Sequence, residues 1–366
     1  MKWPLIKLSS LGKVQTGFTP STTVEKYWGG DIPFVTPADL DQNDPVLEVP
    51  RTLTQDGATA TRLLSVDAVM VCCIGSLGKI GVAGKPLATN QQINSIEFNA
   101  SLIFPRYGYY ACQRLKPRLI SMAPATTVAI VSKSKFESLE IPVPPLAEQR
   151  RIAAILDQAD QLRVKRREAL AELDRLTQSI FVEMFGDVVR NDKNLDTITL
   201  KDYFIFRTGK VDSNAATTDG EYPFFTCSRE NYRIDKYAFD CEALLLAGNN
   251  ASADYSVKYY KGKFNAYQRT YVITHQNVEN SYEYSAYVLQ YYLGELKRIS
   301  KGSGTKYLTL EMLNRISIPN PPKDLQRQFA SRLRHLNAIR QNYNLALSDL
   351  NSLFTSLQHR AFRGEL

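Results

Sequence analysis

The sequence predicts an α+β protein made of two mixed α/β globules, each followed by a long helix. The two helices are expected to pair as an antiparallel coiled coil with pseudo-two-fold symmetry. Three observations support this fold: a long stretch occurs twice, both copies are free of internal glycine and proline, and each follows a segment of short β-like runs. The predicted boundaries are 1–140 for the first globule, 141–187 for the first helix, 188–317 for the second globule and 318–366 for the second helix.

The duplication is defined by a shift of 177 residues, which needs no gap across the helices. It superimposes Gln149 on Gln326, and the Pro144–Pro145 pair on Pro321–Pro322. Proline suits the entry of a helix and not its interior, so both copies begin as a helix should. A repeat of this length predicts one structural unit built twice.

Apolar residues spaced alternately by three and four predict the seam of a coiled coil. The seam residues are Ile152, Ile155, Leu162, Leu173, Leu176 and Ile180 in the first copy, and Phe329, Leu336, Ile339, Leu350, Leu353 and Leu357 in the second. Two amphipathic helices, each packed only on its own globule, would give a similar pattern, but the shared register favours mutual packing. Antiparallel pairing is expected because parallel helices would require residues 188–317 to connect points roughly 60 Å apart.

The globules share a loose plan. The first has β-like runs at 31–37, 67–75 and 94–100, and a helical segment at 102–115. In the second, 221–226 resembles 31–36, 242–246 resembles 67–71, 265–273 resembles 89–96, and Gly209 stands opposite Gly17. Because the globules diverge while the helices keep their register, the pattern indicates a constant scaffold that carries two different recognition surfaces.

Composition excludes several classes. With 366 residues, 44% of them hydrophobic, the chain can bury more than one core. No apolar run approaches the ~18 residues of a membrane span, and the N-terminus lacks an apolar signal segment, so we expect no membrane association. The five cysteines form no C-x-x-C pair, which predicts a protein of the reducing cytoplasm. The net charge of +8 suits a polyanionic partner, although solubility alone would tolerate it.

No catalytic, cofactor-binding or metal-binding constellation is evident. Asn320-Pro321-Pro322 resembles a motif of amino-methyltransferases, but Lys323 stands where an aromatic residue would stack on the flipped base. The segment 75–81 lacks both the leading glycine and the Ser/Thr of a phosphate loop. The three histidines show no metal-ligand spacing. We therefore expect a non-enzymatic chain without a cofactor of its own.

The layout resembles the specificity subunit of a type I restriction–modification enzyme. The resemblance rests on IPVPPLAEQRRI (141–152), IPNPPKDLQRQF (318–329), the TGFTPS loop (16–21) and AFRGEL (361–366), and it covers essentially the whole chain. It implies that each globule is a target-recognition domain reading one half of an asymmetric, bipartite double-stranded DNA target, with the helices as spacer. It also implies two methyltransferase subunits docked on the helices and up to two motor–nuclease subunits. S-adenosylmethionine, ATP and Mg, with adenine methylation and restriction, then belong to these partners.

Candidate DNA-contacting residues follow from side-chain chemistry, since Arg, Lys, Asn and Gln read base edges best and Ser and Thr adapt. The base-reading candidates are Thr19, Ser21, Lys79, Gln91 and Gln92 in the first globule, and Arg207, Lys210, Ser228, Arg229, Asn249, Asn250, Gln268 and Arg269 in the second. The loops at 126–127 and 301–306 join them. The phosphate-positioning candidates are Lys13, Arg106, Lys258, Lys301 and Lys306. On the helices, Arg163, Lys165, Arg167 and Arg334 are expected to bind spacer phosphate or the methyltransferase.

Two alternatives stay open at this point. A turn cap or a solvated loop would explain any single candidate as well, so the loops as a set are the stronger prediction. A scaffold or adaptor with two β-rich ends that bind protein or glycan would suit the same architecture. An active enzyme fused from two domains is disfavoured by the missing cofactor and catalytic motifs.

Overall fold

The computed structural model describes residues 3–41, 44–123, 128–250, 255–299 and 306–366. The chain divides into two compact units, Met1–Glu168 with Asn344–Leu366, and Ala169–Tyr343. Each long helix contributes to both units, so the first unit is discontinuous in sequence.

The first unit is a mixed α/β fold that ends in a long helix. Its helices are α1 (Leu8–Leu11), α2 (Gln55–Thr59), α3 (Pro105–Gln113), α4 (Lys116–Met122), α5 (Lys133–Glu137) and the start of α6 (Leu146–Phe185). Its strands are β1 (Leu5–Lys7), β2 (Gly12–Thr16), β3 (Trp28–Val35), β4 (Thr52–Leu53), β5 (Leu63–Leu64), β6 (Val69–Cys72), β7 (Ile80–Val82), β8 (Leu87–Thr89), β9 (Ile93–Phe98) and β10 (Glu140–Pro142). The β-like runs predicted at 31–37, 67–75 and 94–100 correspond to β3, β6 and β9.

Two four-stranded sheets and one short pair build this unit. Their strand orders are β2-β9-β6-β7, β4-β3-β8-β5 and β1-β10. The main core packs the β2-β9-β6-β7 sheet, α3 and the first turns of α6 together, with Tyr107, Tyr110 and Ile152 fully buried. A second cluster around Met70 and Leu87 fills the space between the two sheets.

The second unit repeats the plan with longer strands. Its strands are β11 (Thr197–Thr199), β12 (Phe204–Thr208), β13 (Tyr222–Phe225), β14 (Tyr232–Ile234), β15 (Phe239–Ala247), β16 (Asn249–Asn250), β17 (Val257–Ala266), β18 (Thr270–His275), β19 (Lys306–Tyr307) and β20 (Ser317–Pro319). Its helices are α7 (Leu200–Tyr203), α8 (Tyr282–Ile299), α9 (Leu310–Asn314) and the start of α10 (Lys323–Ala361).

The sheets show what is shared and what differs. The pairs β1·β10, β2·β9 and β6·β9 of the first unit correspond to β11·β20, β12·β18 and β15·β18 of the second. In the second unit, however, β15 and β17 are long enough to join the remaining strands into one six-stranded sheet, β12-β18-β15-β17-β13-β14. The two units therefore share a frame and differ in the strands and loops mounted on it.

Each globule is attached to its following helix by the same hydrogen bonds. Tyr107 donates to the Pro142 carbonyl at 2.6 Å, and Tyr284 donates to the Pro319 carbonyl at 2.8 Å. Gln149 is fully buried, donates to the Pro144 carbonyl at 2.8 Å and accepts from the Phe104 amide at 2.8 Å. Buried polar groups of this kind stay satisfied only while globule and helix keep their positions.

The long helices are delimited by proline and glycine. A proline pair precedes each, and Gly186 and Gly364 follow with φ of 74° and 73°. Glycine is favoured in this left-handed conformation, which commonly ends helices. The Gly186 amide donates to the Val182 carbonyl at 2.7 Å. At about 1.5 Å per residue each helix is roughly 60 Å long.

The helices α6 and α10 pack together in antiparallel fashion. In the first unit Arg163 donates to Asn351 at 2.8 Å, and in the second Arg340 donates to Asp174 at 2.6 Å. From the first pair to the second, the residue number on α6 rises from 163 to 174 while the residue number on α10 falls from 351 to 340. The two helices therefore run in opposite directions. The 177-residue shift converts one pair into the other, so each unit contains the same kind of polar contact between its segments of α6 and α10.

Four of the twelve predicted seam residues are exposed. Leu162, Leu176, Ile339 and Leu353 are 52%, 44%, 40% and 48% exposed, and Ile155 is only partly buried. Ile152 and Phe329 are buried, and Leu173, Ile180, Leu336, Leu350 and Leu357 are partly buried.

Beside Ile155 and the four exposed residues, the inward-facing residue lies one position later: Leu156, Arg163, Thr177, Arg340 and Phe354. Leu333, which the 177-residue shift relates to Leu156, is also buried. Three of these inward-facing residues are polar. A seam predicted from apolar side chains alone is therefore displaced by one residue at these places.

Candidate nucleic-acid interface

The first unit holds several candidates around the turn Asn90–Gln92, which joins β8 to β9. Its backbone is fixed from both sides: the Asn90 amide donates to the Val35 carbonyl at 3.1 Å, and the Gln92 carbonyl accepts from the Cys73 amide at 2.8 Å. Gly17 lies so close that an added Cβ would be 2.2 Å from the Asn90 carbonyl oxygen. The turn is therefore a rigid platform.

Three predicted residues meet on this turn. Gln91 is exposed, and its Oε1 accepts a hydrogen bond from the Thr19 hydroxyl at 2.7 Å. Gln92 is half-buried, and its Oε1 accepts from Asn90 Nδ2 at 2.9 Å. Thr19 thus orients the Gln91 amide, while the remaining lone pair and the amide N–H groups of Gln91 stay available.

The second unit has the equivalent turn at Tyr267–Arg269, between β17 and β18. The Tyr267 amide donates to the Phe225 carbonyl at 2.9 Å, and the Arg269 carbonyl accepts from the Gly248 amide at 2.8 Å. A Cβ at Gly209 would lie 1.6 Å from the Ala266 carbonyl oxygen. The same hydrogen bonds and the same close glycine therefore hold both turns, and Gln268 and Arg269 stand where Gln91 and Gln92 stand in the first unit.

A pocket of ≈ 360 Å³ opens beside Arg269. It is lined by Thr208, Gly248, Asn249, Gln268, Arg269, Tyr271, Tyr307 and Leu308. Arg269 and Gln268 are exposed, and Gln268 Nε2 lies 3.4 Å from Asp212 Oδ2. Among the residues that the structure describes, the buried Asn249 Oδ1 finds no hydrogen-bond partner. The pocket thus combines hydrogen-bonding groups with aromatic rings.

Other candidates of the second unit lie around this sheet. Asn249 and Asn250 pair with Tyr307 and Lys306 between β16 and β19, which brings Lys306 beside the pocket. The Cys227 thiol donates to the Arg269 carbonyl at 3.4 Å, and Ser228 and the exposed Arg229 follow Cys227 in sequence. Arg207 and Lys210 are exposed on and just after β12. Lys301 lies outside the described residues.

Lys258, a predicted phosphate contact, is engaged by a neighbouring loop. Its ammonium donates to the Ser228 carbonyl at 2.8 Å, the Glu230 carbonyl at 3.3 Å and Asn231 Oδ1 at 2.9 Å. Burial lowers the pKa of this amine. Lys258 therefore holds the 228–231 loop in place.

Arg106, another predicted phosphate contact, is engaged by the long helix. Its guanidinium pairs with Asp157 on α6 and also lies 3.2 Å from the Tyr110 hydroxyl. It docks α3 on the long helix. The equivalent position of the second unit carries the opposite charge, since Glu283 pairs with Arg334 at 2.8 Å.

The helix candidates divide in the same way. Arg163, predicted on an outer face, has a side chain that is only 17% exposed, pairs with Asp160 at 2.8 Å and lies over Phe354. Arg334 is engaged by Glu283. Lys165 and Arg167 are exposed on α6, as predicted.

The remaining first-unit candidates are more scattered. Lys79 donates to the Pro37 carbonyl at 3.2 Å, and Ser21 pairs with the Thr23 hydroxyl at 2.9 Å. Lys13 is exposed on β2, opposite Glu97. The loop 126–127 lies outside the described residues.

Sequence reasoning missed several residues that line surface pockets. In the second unit these are Thr208 and Tyr307. The 177-residue shift relates Tyr307 to Ile130, which forms a β-bridge with Ile74 in the first unit, and this equivalence would have indicated Tyr307. In the first unit the Arg51 guanidinium lies 3.9 Å from the Trp28 ring centre, in a separate pocket of ≈ 430 Å³. No sequence signal predicted that stack.

Comparison with known proteins identifies the family. The model of the type I restriction modification DNA specificity domain matches residues 1–174 and 192–346. The chain belongs to this family. Among its relatives, the type I restriction enzyme MjaIX specificity subunit of Methanocaldococcus jannaschii is 24% identical over 91% of this chain and 86% of that protein. The EcoDI specificity subunit of Escherichia coli is 40% identical, over 39% of this chain and 31% of that protein's length.

Solved structures of the specificity family have the same fold. An S subunit from M. genitalium aligns with a TM-score of 0.64 at 19% identity, covering 99% of this chain and 96% of that one. A chain from a structure of the type I R-M system aligns with a TM-score of 0.57 at 16% identity, covering 100% and 98%.

Three further findings concern the described ranges. No three His, Cys, Asp or Glu side chains there converge as a metal site would require. None of the helices found there combines the length and the apolar character needed to cross a membrane. Asn320 is a helix lead-in, since its amide donates to the Asp196 carbonyl at 2.7 Å and α10 begins at Lys323.

Proposed function

We propose that this chain selects the DNA target of a type I restriction–modification enzyme, with each unit reading one half of an asymmetric, bipartite sequence. The observation that carries the proposal is the pair of equivalent turns, 90–92 and 267–269, which have the same backbone hydrogen bonds and differ in two of their three side chains. A constant platform with variable polar side chains suits the reading of base edges. Methylation and cleavage would be supplied by partners that use S-adenosylmethionine, ATP and Mg.

Selection from a random-sequence duplex library tests this proposal. The full-length chain is incubated with the library at a fixed salt concentration, because phosphate contacts make affinity salt-dependent. We expect enrichment of two unlike short motifs separated by a constant spacer. Equal recovery of all sequences, with and without a methyltransferase subunit of the same system, would favour the adaptor that binds protein or glycan.

The helix pair is proposed to fix the spacer. One heptad inserted into both α6 and α10 lengthens the pair by about 10 Å, or roughly three base pairs of DNA. The selected motifs should then keep their sequences while the spacer between them grows. An unchanged spacer would refute this role.

Two equivalent apolar patches are proposed to dock two methyltransferase subunits. Leu162 and Leu353 belong to the first unit, and the 177-residue shift relates them to Ile339 and Leu176 of the second. All four are at least 40% exposed, which is unusual for large apolar side chains arranged as a set.

Stoichiometry distinguishes the two patches. The pair L162E and L353E should reduce the methyltransferase subunits recovered per chain from two to one, and altering both patches should abolish assembly. V278E is the matched control, since Val278 is 95% exposed in the loop between β18 and α8, outside the exposed apolar residues of α6 and α10. Two bound subunits in every variant would contradict this docking surface.

A further inference from the structure

The two equivalent turns carry different side chains, and the difference has a chemical meaning. The first turn has Gln91 exposed and Gln92 half-buried, whereas in the second both Gln268, the equivalent of Gln91, and Arg269, the equivalent of Gln92, are exposed. Gln268 donates to Asp212 at 3.4 Å, and Arg269 is the side chain that distinguishes this turn from the first. A glutamine amide pairs in bidentate fashion with N6 and N7 of adenine, whereas a guanidinium pairs with O6 and N7 of guanine. Such pairing rests on the proposed function, in which both turns contact DNA.

Gln91 is organised for such a contact. The Thr19 hydroxyl occupies one lone pair of its Oε1 at 2.7 Å, which holds the amide plane in one orientation. The second lone pair can accept from adenine N6, and the amide nitrogen can donate to N7. Holding the side chain in advance reduces the entropy lost on binding.

Arg269 is organised in another way. Its carbonyl accepts from the Gly248 amide at 2.8 Å and from the Cys227 thiol at 3.4 Å, so its backbone is fixed while its side chain is exposed. It borders the pocket of ≈ 360 Å³, where Thr208 and Tyr307 supply further contact surface. Lys258, a basic candidate of the neighbouring strand β17, is by contrast committed to loop carbonyls.

We infer that the turn at 90–92 reads an adenine through Gln91 in one half-site, and that the turn at 267–269 reads a guanine through Arg269 in the other. The scaffold places the two residues on equivalent turns, one position apart, so each turn decides one base in its own half of the target. Base identity there then follows from one side chain of each turn.

Reciprocal substitutions test the inference in the full-length chain. The probe is the random-sequence duplex library, sequenced before and after binding. R269Q should convert one guanine of one half-site into adenine, and Q91R should convert one adenine of the other into guanine. Each change should alter the preference at a single position by about 5- to 150-fold and leave the opposite half-site unchanged.

Controls separate the possible failures. R315Q is the matched variant, because Arg315 is an exposed arginine of the same unit that directly follows α9 and pairs with Glu311. R315Q should leave both motifs intact. R269A should relax the guanine position without creating a new preference. If wild type selects a motif and R269Q and Q91R leave it unchanged, or weaken it uniformly at all positions, the inference is overturned. Target selection by the chain would still stand. Absence of any wild-type motif overturns target selection, and the inference with it.

Discussion

Gln149 and Gln326 perform the same task in the two units. Each is fully buried, each donates from Nε2 to a carbonyl of its own proline pair, and each accepts at Oε1 an amide of the globule that precedes it. The distances to the globule amides, Phe104 and Ser281, are 2.8 and 3.2 Å. One side chain thus joins helix entry and globule.

Replacing this glutamine should destabilise its unit. Q149A would remove the hydrogen-bond partner of the Phe104 amide and of the Leu102 and Pro144 carbonyls, and we expect a loss of about 2–4 kcal/mol in the free energy of unfolding. Chemical denaturation followed by circular dichroism measures it. Q158A is the control, since Gln158 is exposed on the same helix and should change stability by less than about 0.5 kcal/mol. Equal effects of the two substitutions would refute the structural role.

The inverted ion pairs should make each globule specific for its own helix. R106E should destabilise the first unit, and adding D157R should restore most of the loss. The same cycle with E283R and R334E should show a smaller coupling, because Arg334 is 64% exposed and Arg106 is 26% exposed. We expect about 1–2 kcal/mol for the first pair and about 0.5 kcal/mol for the second. Absence of rescue in the first double variant would contradict the pairing.

Substitution of two glycines by alanine should change the free energy of unfolding in opposite directions. G209A places a Cβ against the Ala266 carbonyl and should cost more than about 2 kcal/mol, since the neighbouring atoms are backbone. G294A lies within α8, where no atom comes within 4 Å of the added Cβ, and should stabilise by about 0.5–1 kcal/mol through helix propensity. Thermal denaturation compares them. A tolerated G209A would show that the turn at 267–269 is not rigid.

His275 should make the second unit sensitive to acid. It is 8% exposed, its Nε2 lies 2.8 Å from Ser285 Oγ, and its ring stacks on Phe204. Burial, with a smaller contribution from Lys323 against the opposing effect of Glu242, lowers its pKa to about 4.

The direction of the pH dependence is set by proton uptake. As pH falls from about 6.5 towards 4, the unfolded chain binds a proton that the native state does not. Unfolding free energy should therefore decline by up to about 1.4 kcal/mol per pH unit and level off below pH 4. H275Q should flatten this dependence, whereas H359Q, at an exposed position of α10, should not. Identical pH profiles for wild type and H275Q would contradict the assignment.

How much of the structure the sequence predicts depends on how far apart in sequence the interacting residues lie. The duplication, the strands and the antiparallel helices follow from local patterns repeated at a fixed spacing. The seam was displaced because Arg163 and Arg340 occupy inward positions, where their partners Asn351 and Asp174 are more than 160 residues away in sequence. The roles of Arg106 and Lys258 were missed for the same reason, since Asp157 and the loop carbonyls become neighbours only in the folded chain.

The discontinuity of the first unit has a consequence for biosynthesis. Trp3 donates from its indole to the Ala361 carbonyl at 3.2 Å, and Ala361 and Phe362 are buried in the core that also contains Leu8 and Tyr107. Residues 169–343 form a continuous unit and can fold as soon as they leave the ribosome, because domains fold as units during synthesis. The globule translated first must wait for residues 344–366 and exposes part of its core until they arrive. The first globule is thus completed after the second unit. If synthesis stopped before the end of α10, the first globule would stay incomplete and open to proteolysis.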